Sequence, residues 1–207
     1  RANNITAQYS DYIYPYTNLS ETSLSQGLTD AWNSFYSVVA QANNTINNIT
    51  DYSAPTLSED SKRASIAEAR FMRGTAYWYI ASLWGVGIIY TNTSSMVNNY
   101  VVPANLEYAA KYLPKTPADA GRVTCYSAYG MLSRVYLSMA GLTTDGLYNG
   151  SNVATDFNRG TRNQTYLDLA KRAALQVIAE SGAGLIDNSG DLFAAKSFNN
   201  NSESLFQ

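Results

Sequence analysis

The sequence predicts an all-α protein of stacked helical hairpins joined by long irregular loops. Three observations predict it. Apolar residues recur at i, i+3 and i+4 in separate stretches of the chain. Those stretches end on helix stops, at Gly85, Gly141 and Ser181-Gly182. Between them lie segments such as 143–160, rich in Gly, Asn and Asp and without a strand-like alternation.

Residues 1–27 are rich in Tyr and Ser, lack periodicity and are expected to form a loop. A first helix is predicted from Leu28 to about Ile49, with Trp32, Phe35, Tyr36, Val39, Ala42 and Ile46 on one side. The turn "TDYSAP" comes next. Thr56-Leu-Ser-Glu59 has the form of a capping box, which starts a second helix near Leu57 and runs it to Trp84. "IIY" at 88–90 reads as a short extended piece. Thr124 is a suitable cap for a third helix, from about Cys125 to Ala140, and a fourth spans about Thr165 to Glu180. The result is two long antiparallel pairs, with small residues where the helices approach.

The second helix contains "EARFMRGTAYWYIASLWG", Glu68 to Gly85. Three faces can be drawn at helical spacing. One holds Ile66, Arg70, Arg73, Tyr77, Ile80 and Trp84; another Ala67, Phe71, Gly74, Trp78 and Ala81; the third Ala69, Met72, Ala76, Tyr79 and Leu83. A helix that is apolar all round is covered on several sides, so this one is expected to be central and the most buried element. Arg70 and Arg73 are expected to lay their stems on apolar surface and to donate to carboxylates or helix-end carbonyls, with Glu68 as an ion partner.

Composition narrows the function. Of 207 residues, 45% are hydrophobic and 14% charged, against roughly 25% charged in an ordinary soluble domain. The net charge of −2 gives no electrostatic footprint for nucleic acid. No apolar run approaches the roughly 18 residues of a transmembrane helix, and the chain opens at Arg1 as a mature or trimmed form would. Histidine is absent, which removes the usual general base and most zinc sites. The single cysteine, Cys125, lies in an apolar helical pattern and reads as a small buried hydrophobe. No catalytic residue, metal ligand or cofactor is therefore assigned, and binding is favoured over chemistry. Asn-x-Ser/Thr recurs, at Asn43, Asn48 and Asn163 among others, but Asn43 and Asn48 fall in a predicted helix. An Asn-rich polar surface accounts for them better than glycosylation.

Several pieces, in order, resemble the SusD/RagB family. "WNSFYSVVAQANNTINNI" resembles its first repeat helix. "AEARFMRGTAYWYIASLWGVGIIY" resembles its most characteristic stretch, a Glu-Ala-Arg-Phe-x-Arg helix ending in aromatic-Gly. "NLEYAAKYLP" with "GRVTCYSAYGMLSRVYLSMAG" resembles the next helix pair. "YLDLAKRAALQVIAESGAGLI", "DLF" and "ESLFQ" resemble the family's segments after that pair. Together they span most of residues 28–207. Two departures stand out. Gly87-Ile-Ile occupies the place where the family usually has Pro. The segment "MVNNYVVPANLEYAA" is short, so either a loop is truncated or residues are absent between about Val102 and Leu106. Family members continue past the position of Gln207, so 1–207 reads as the N-terminal helical part of a SusD-like domain, incomplete at both ends.

The resemblance implies TPR-like helical hairpins and no catalysis. It implies a lipoprotein on the extracellular face of the outer membrane, its lipid anchor outside this chain. Its partners would be a glycan ligand and a SusC-like TonB-dependent transporter, to which it delivers captured polysaccharide or oligosaccharide. A sugar offers flat C–H faces to aromatic rings and a hydroxyl rim to neutral polar groups. "SDYIYPYTNLS" places Tyr12, Tyr14 and Tyr16 at alternate positions. In an extended loop the three rings share one face, flanked by Asp11 and Asn18. These five are the expected ligand-binding residues, with Tyr148 a second candidate. Two other classes stay open: a helical-repeat scaffold that binds protein only, and an all-helical glycosidase, which would need two carboxylates about 5–10 Å apart in a cleft.

Overall fold

The computed structural model describes residues 13–18, 20–85, 90–92, 95–96, 101–142, 162–193 and 201–206. Among them the helices are α1 (Tyr14–Asn18), α2 (Gln26–Tyr52), α3 (Glu59–Trp84), α4 (Val101–Tyr112), α5 (Cys125–Leu142) and α6 (Gln164–Glu180). A 3-10 turn covers Ser189–Phe193. Among the described residues, strand is confined to β1 (Tyr90–Asn92) and β2 (Ser95–Met96), which pair antiparallel with Tyr90 opposite Met96. The all-α expectation holds.

From α2 to α6 each helix packs on the next, and α3 also meets α5. Neighbours run antiparallel, as their contacts show. Trp32 near the start of α2 meets Trp84 at the end of α3, with ring centres 5.3 Å apart. Arg63 and Arg70 of α3 lie over Tyr112 and Tyr108 of α4. Tyr136 of α5 donates to Glu107 of α4, and the Asn163 N–H ahead of α6 donates to the Ala140 carbonyl at the end of α5. The helices thus form two layers, α2, α4 and α6 in one, α3 and α5 in the other.

Local chemistry sets the helix ends. The cap of α3 is Ser58, not Thr56: its Oγ accepts from the Ser61 N–H at 3.1 Å. The predicted capping box lay two residues early, because the capping hydroxyl belongs to the residue just before the first helical one. Glu59 and Asp60 then face the positive end of the helix dipole. Thr124 caps α5 as expected, in a reciprocal pair with Ser127: its N–H donates to Ser127 Oγ (2.9 Å) and its Oγ1 accepts from the Ser127 N–H (3.4 Å). Asn163 caps α6 by accepting from the Tyr166 N–H. Gly85 ends α3 at φ 77°, a left-handed conformation that suits glycine, and its N–H reaches the Ala81 carbonyl. Gly141 is no stop; α5 runs through it to Leu142.

Residues 102–106 lie inside α4, with Asn105 and Leu106 buried. Two further expectations change. Part of 1–27 is helical, as α1 and the first residues of α2. And α3 is central without being the most buried element. Eight of its 26 residues are buried, against ten of the 17 residues from 125 to 141 in α5. Its third face is open: Met72 is 44%, Tyr79 37% and Leu83 57% exposed, while Ala69 and Ala76 beside them are covered. An apolar pattern states which residues tolerate burial; which of them gain a neighbour depends on where the other helices lie.

Two apolar clusters hold the layers. The larger joins Phe71 of α3 to Leu106 and Ala109 of α4 and Leu113 just after it, to Met131, Leu132 and Val135 of α5, and to Ala170 and Ala173 of α6. The smaller joins Val39 of α2 to Ala76, Tyr77 and Ile80 of α3. Cys125 is buried in the larger, and burial raises its thiol pKa, so it serves as a small apolar residue.

Phe71 is fully buried and Met72 is not, although they are adjacent and similarly apolar. Phe71→Ala is expected to lower unfolding free energy by about 3–5 kcal/mol. Met72→Ala should lower it by less than about 1 kcal/mol. Urea denaturation of the two variants checks the pair; equal losses would mean the outer face of α3 is covered.

Candidate functional site

The Glu68–Arg73 segment accounts for its charges by pointing them three ways. Glu68 receives both Nε and Nη2 of Arg122, which pins the α4–α5 connection to α3. Arg70 lies 4.0 Å over the ring of Tyr108 on α4. Arg73, only 5% exposed, donates from Nε (3.0 Å) and Nη2 (2.7 Å) to Asn105 Oδ1 and from Nη1 (2.6 Å) to Asn43 Oδ1. Both asparagines are buried. One guanidinium therefore ties α2, α3 and α4 together. Gly74 makes this possible: a Cβ there would lie 3.0 Å from Leu106 and 3.1 Å from Asn105. Burial, reinforced by the nearby charge of Arg70, lowers the Arg73 pKa to about 10, and the group stays charged at neutral pH.

This corrects two expectations. Glu68 pairs with Arg122 rather than with an arginine of its own helix. Arg70 meets a ring and Arg73 two amide oxygens, where carboxylates or helix-end carbonyls were expected. Asn43, in a glycosylation-type triplet, is buried and bonded to Arg73, which leaves no room for a glycan; Asn163 is a helix cap.

At one end of the α2–α3 pair, where α2 begins and α3 stops, the rings gather. Trp32 meets Tyr36 at 4.7 Å and Trp84 edge-on at 5.3 Å. Phe35 and Tyr79 stack at 5.3 Å with their planes 9° apart. Trp78 meets Tyr79 edge-on and carries Arg134 of α5 over its ring. Tyr79 presents a partly exposed ring here. Such a surface offers an apolar aromatic face, the chemistry that suits the C–H face of a sugar. The aromatic positions were legible in the sequence as core. Their convergence at one pole was not, because it needs the start of α2 beside the end of α3.

The tyrosine segment is built differently from its expectation. Tyr14, Tyr16 and Asn18 lie on α1, a helical turn, not in an extended loop. Residues two apart on a helix point to different sides, so Tyr14 and Tyr16 do not share a face. Tyr16 packs its ring on Gly27 and its hydroxyl is buried. Tyr14 is half-buried. Asn18 is exposed, and its amide, oriented so that Nδ2 faces the carbonyls of Tyr14 and Pro15 at 3.0 and 3.1 Å, closes the end of the turn. Pro15 explains the change, since its fixed φ suits the first turn of a helix. Asp11, Tyr12 and Tyr148 lie outside the described residues. Among the described residues no cluster of acidic or sulfur ligands could hold a metal ion, and no helix is long and apolar enough to cross a membrane.

Comparison with known proteins identifies the family. A SusD-like family profile, described as starch-binding and associating with the outer membrane, matches residues 3–137. The chain belongs to the SusD-like family. A SusD-like protein of Bacteroides ovatus is 37% identical, over 99% of this chain and 36% of its own length. SusD-like protein P25 of Formosa agariphila is 23% identical over 66% of this chain and 28% of its own. A crystal structure with a xylogluco-oligosaccharide matches 99% of this chain and 39% of its own at 35% identity, with a TM-score of 0.79. A SusD superfamily protein from Parabacteroides distasonis shares the fold at 19% identity and a TM-score of 0.65. This SusD-like chain therefore spans little more than a third of the relatives that match it over most of its length.

Arg73→Ala is expected to destabilise by about 1–3 kcal/mol, since it leaves two buried amides without its hydrogen bonds. Arg73→Lys should recover little of this, because an ammonium lacks the planar fork. Ligand affinity of the folded fraction should stay constant, and thermal melts run beside a binding assay separate the two effects.

Proposed function

We propose that this SusD-like chain serves glycan capture: it holds a polysaccharide or oligosaccharide at the extracellular face of the outer membrane and passes it to a SusC-like TonB-dependent transporter. Binding, not catalysis, is its role. The observation that carries this reading is the structure with a xylogluco-oligosaccharide, similar over 99% of this chain at 35% identity. The family description, starch-binding and associating with the outer membrane, supports the same class of ligand and the same location. The aromatic pole supports it in chemical terms. Rings that stack on pyranose faces bind neutral sugars without a formal charge, in keeping with a low-charge chain.

Contacts are proposed at two places. At the aromatic pole, Tyr79 on its Phe35 backing offers a stacking face. In the tyrosine segment, Tyr12 and Tyr14 with Asp11 and Asn18 are the proposed contacts, and Tyr16 packs against the protein. Titration calorimetry with xyloglucan, malto- and xylo-oligosaccharides tests the reading, with sugar release measured in the same samples. Expected are binding of at least one neutral glycan and no hydrolysis. Loss of one stacked ring, by Tyr79→Ala or Tyr14→Ala, should weaken binding by the folded protein about fivefold, the equivalent of roughly 1 kcal/mol, and melts of the same variants separate this from the ring packing that is lost with it. Release of reducing ends would replace capture with glycosidase action.

A further inference from the structure

A concave surface lies at the other end of the helix pairs from Trp84. It is a cleft of about 320 Å³ between the α4–α5 connection and the segments that come after α6. That volume is at the low end of small-ligand sites, roughly 300–1,000 Å³. One wall is Pro117, Ala120 and Gly121; the other is Ser181–Ala183 with Asn201 and Ser202. Tyr126 of α5 and Phe206 complete the lining, the latter 40% exposed.

The walls are held in place. Gly184 N–H donates to the Ser202 carbonyl (3.0 Å), Ser202 Oγ donates to the Gly184 carbonyl (3.2 Å), and the Ile186 N–H donates to Glu203. Ser127 Oγ then fixes the Leu205 carbonyl at 2.6 Å, and Phe206 sits edge-on to the buried Phe71, 5.2 Å away. The cleft is thus tied directly to the core. Gly121, at φ 88°, turns the facing wall where a side chain would strain the backbone.

The electrostatics select a class of ligand. Two cations stand at the cleft, each paired: Lys115 with Glu180 (2.7 Å), and Arg122 with Glu68 and, at 3.9 Å, Asp119. The pairing carboxylates stand outside the lining, so an anion finds both cations already neutralised and a cation finds no lining carboxylate. A neutral polyol can bond the Ser181, Asn201 and Ser202 groups of the wall while its C–H face lies on Phe206. We propose that this cleft is a second saccharide subsite, which takes one or two neutral pyranose units of a bound glycan. The proposal rests on the glycan-capture reading and adds a place of contact remote from the aromatic pole.

Amide resonances of the isotopically labelled protein, followed while a xyloglucan heptasaccharide, cellobiose, maltoheptaose and trigalacturonic acid are added in turn, test it. Gly121, Gly182 and Ser202 should shift with a neutral saccharide and not with the charged trimer. Ala120→Trp, which fills the cleft from an exposed position, should abolish those shifts. It should weaken binding of the corresponding polymer by about threefold to tenfold, because a long chain loses one of two linked contacts. Neutral saccharide binding that moves only resonances outside the cleft would remove the subsite and leave glycan capture standing. Shifts as large with trigalacturonic acid would overturn the neutral assignment. No shift with any neutral saccharide would remove both readings. The amide map of the unaltered protein decides even if the tryptophan variant fails to fold.

Discussion

The contact on which the helical array depends is the fork of Arg73 between Asn43 and Asn105. A buried guanidinium loses its hydration and must recover it from partners in fixed positions. Here the partners come from the helices on either side, so the polar requirement of one side chain sets the spacing and register of three helices. The closeness needed is supplied by Gly74, at which the α3 backbone approaches Leu106 and Asn105 of α4. Apolar packing could tolerate a slide of one helix along the next. A planar fork on two amide oxygens does not, because its donors point in defined directions.

Register in turn places the poles. With α2 and α3 antiparallel and locked near their middles, Trp32 and Phe35 must lie beside Tyr79 and Trp84. The other end collects the α4–α5 connection, the end of α6 and the last described residues, joined by the Glu68–Arg122 and Lys115–Glu180 pairs. These pairs are exposed and contribute little to stability one by one. Their consequence is geometric, in that each ties a connection to a neighbouring helix. One pole is thus aromatic and the other polar with a small cleft, on a single rigid frame.

The helical array carries exposed apolar residues on two of its faces. The outer side of α3 and α5 shows Met72, Leu83 and Leu137, and α6 shows Leu175 and Ile178. In stacked-helix architectures each unit covers the face of its neighbour, and a terminal helix without a polar outer side is exposed by construction. The chain spans little more than a third of the relatives it matches across nearly its whole length.

Helix content, the approximate extents of α2, α3, α5 and α6, and membership of the SusD-like family were determined by the sequence alone. Periodicity is a local property that survives without knowledge of partners. The hydroxyl and glycine at Thr124 and Gly85 act within a single turn, so they too were legible. Tertiary structure decided the rest. Whether Met72 or Phe71 is covered depends on the position of α4 and α5. Glu68 met Arg122, 54 residues away, rather than the arginines beside it, because a helix aims neighbouring residues in different directions. The tyrosines of 14–16 wound into a helical turn rather than an extended platform, since alternation in sequence specifies one face only if the backbone is extended. The two surfaces argued to meet sugar, an aromatic pole and a cleft, each draw on segments far apart in the chain. They exist only once the Arg73 fork has set which ends of the helices come together.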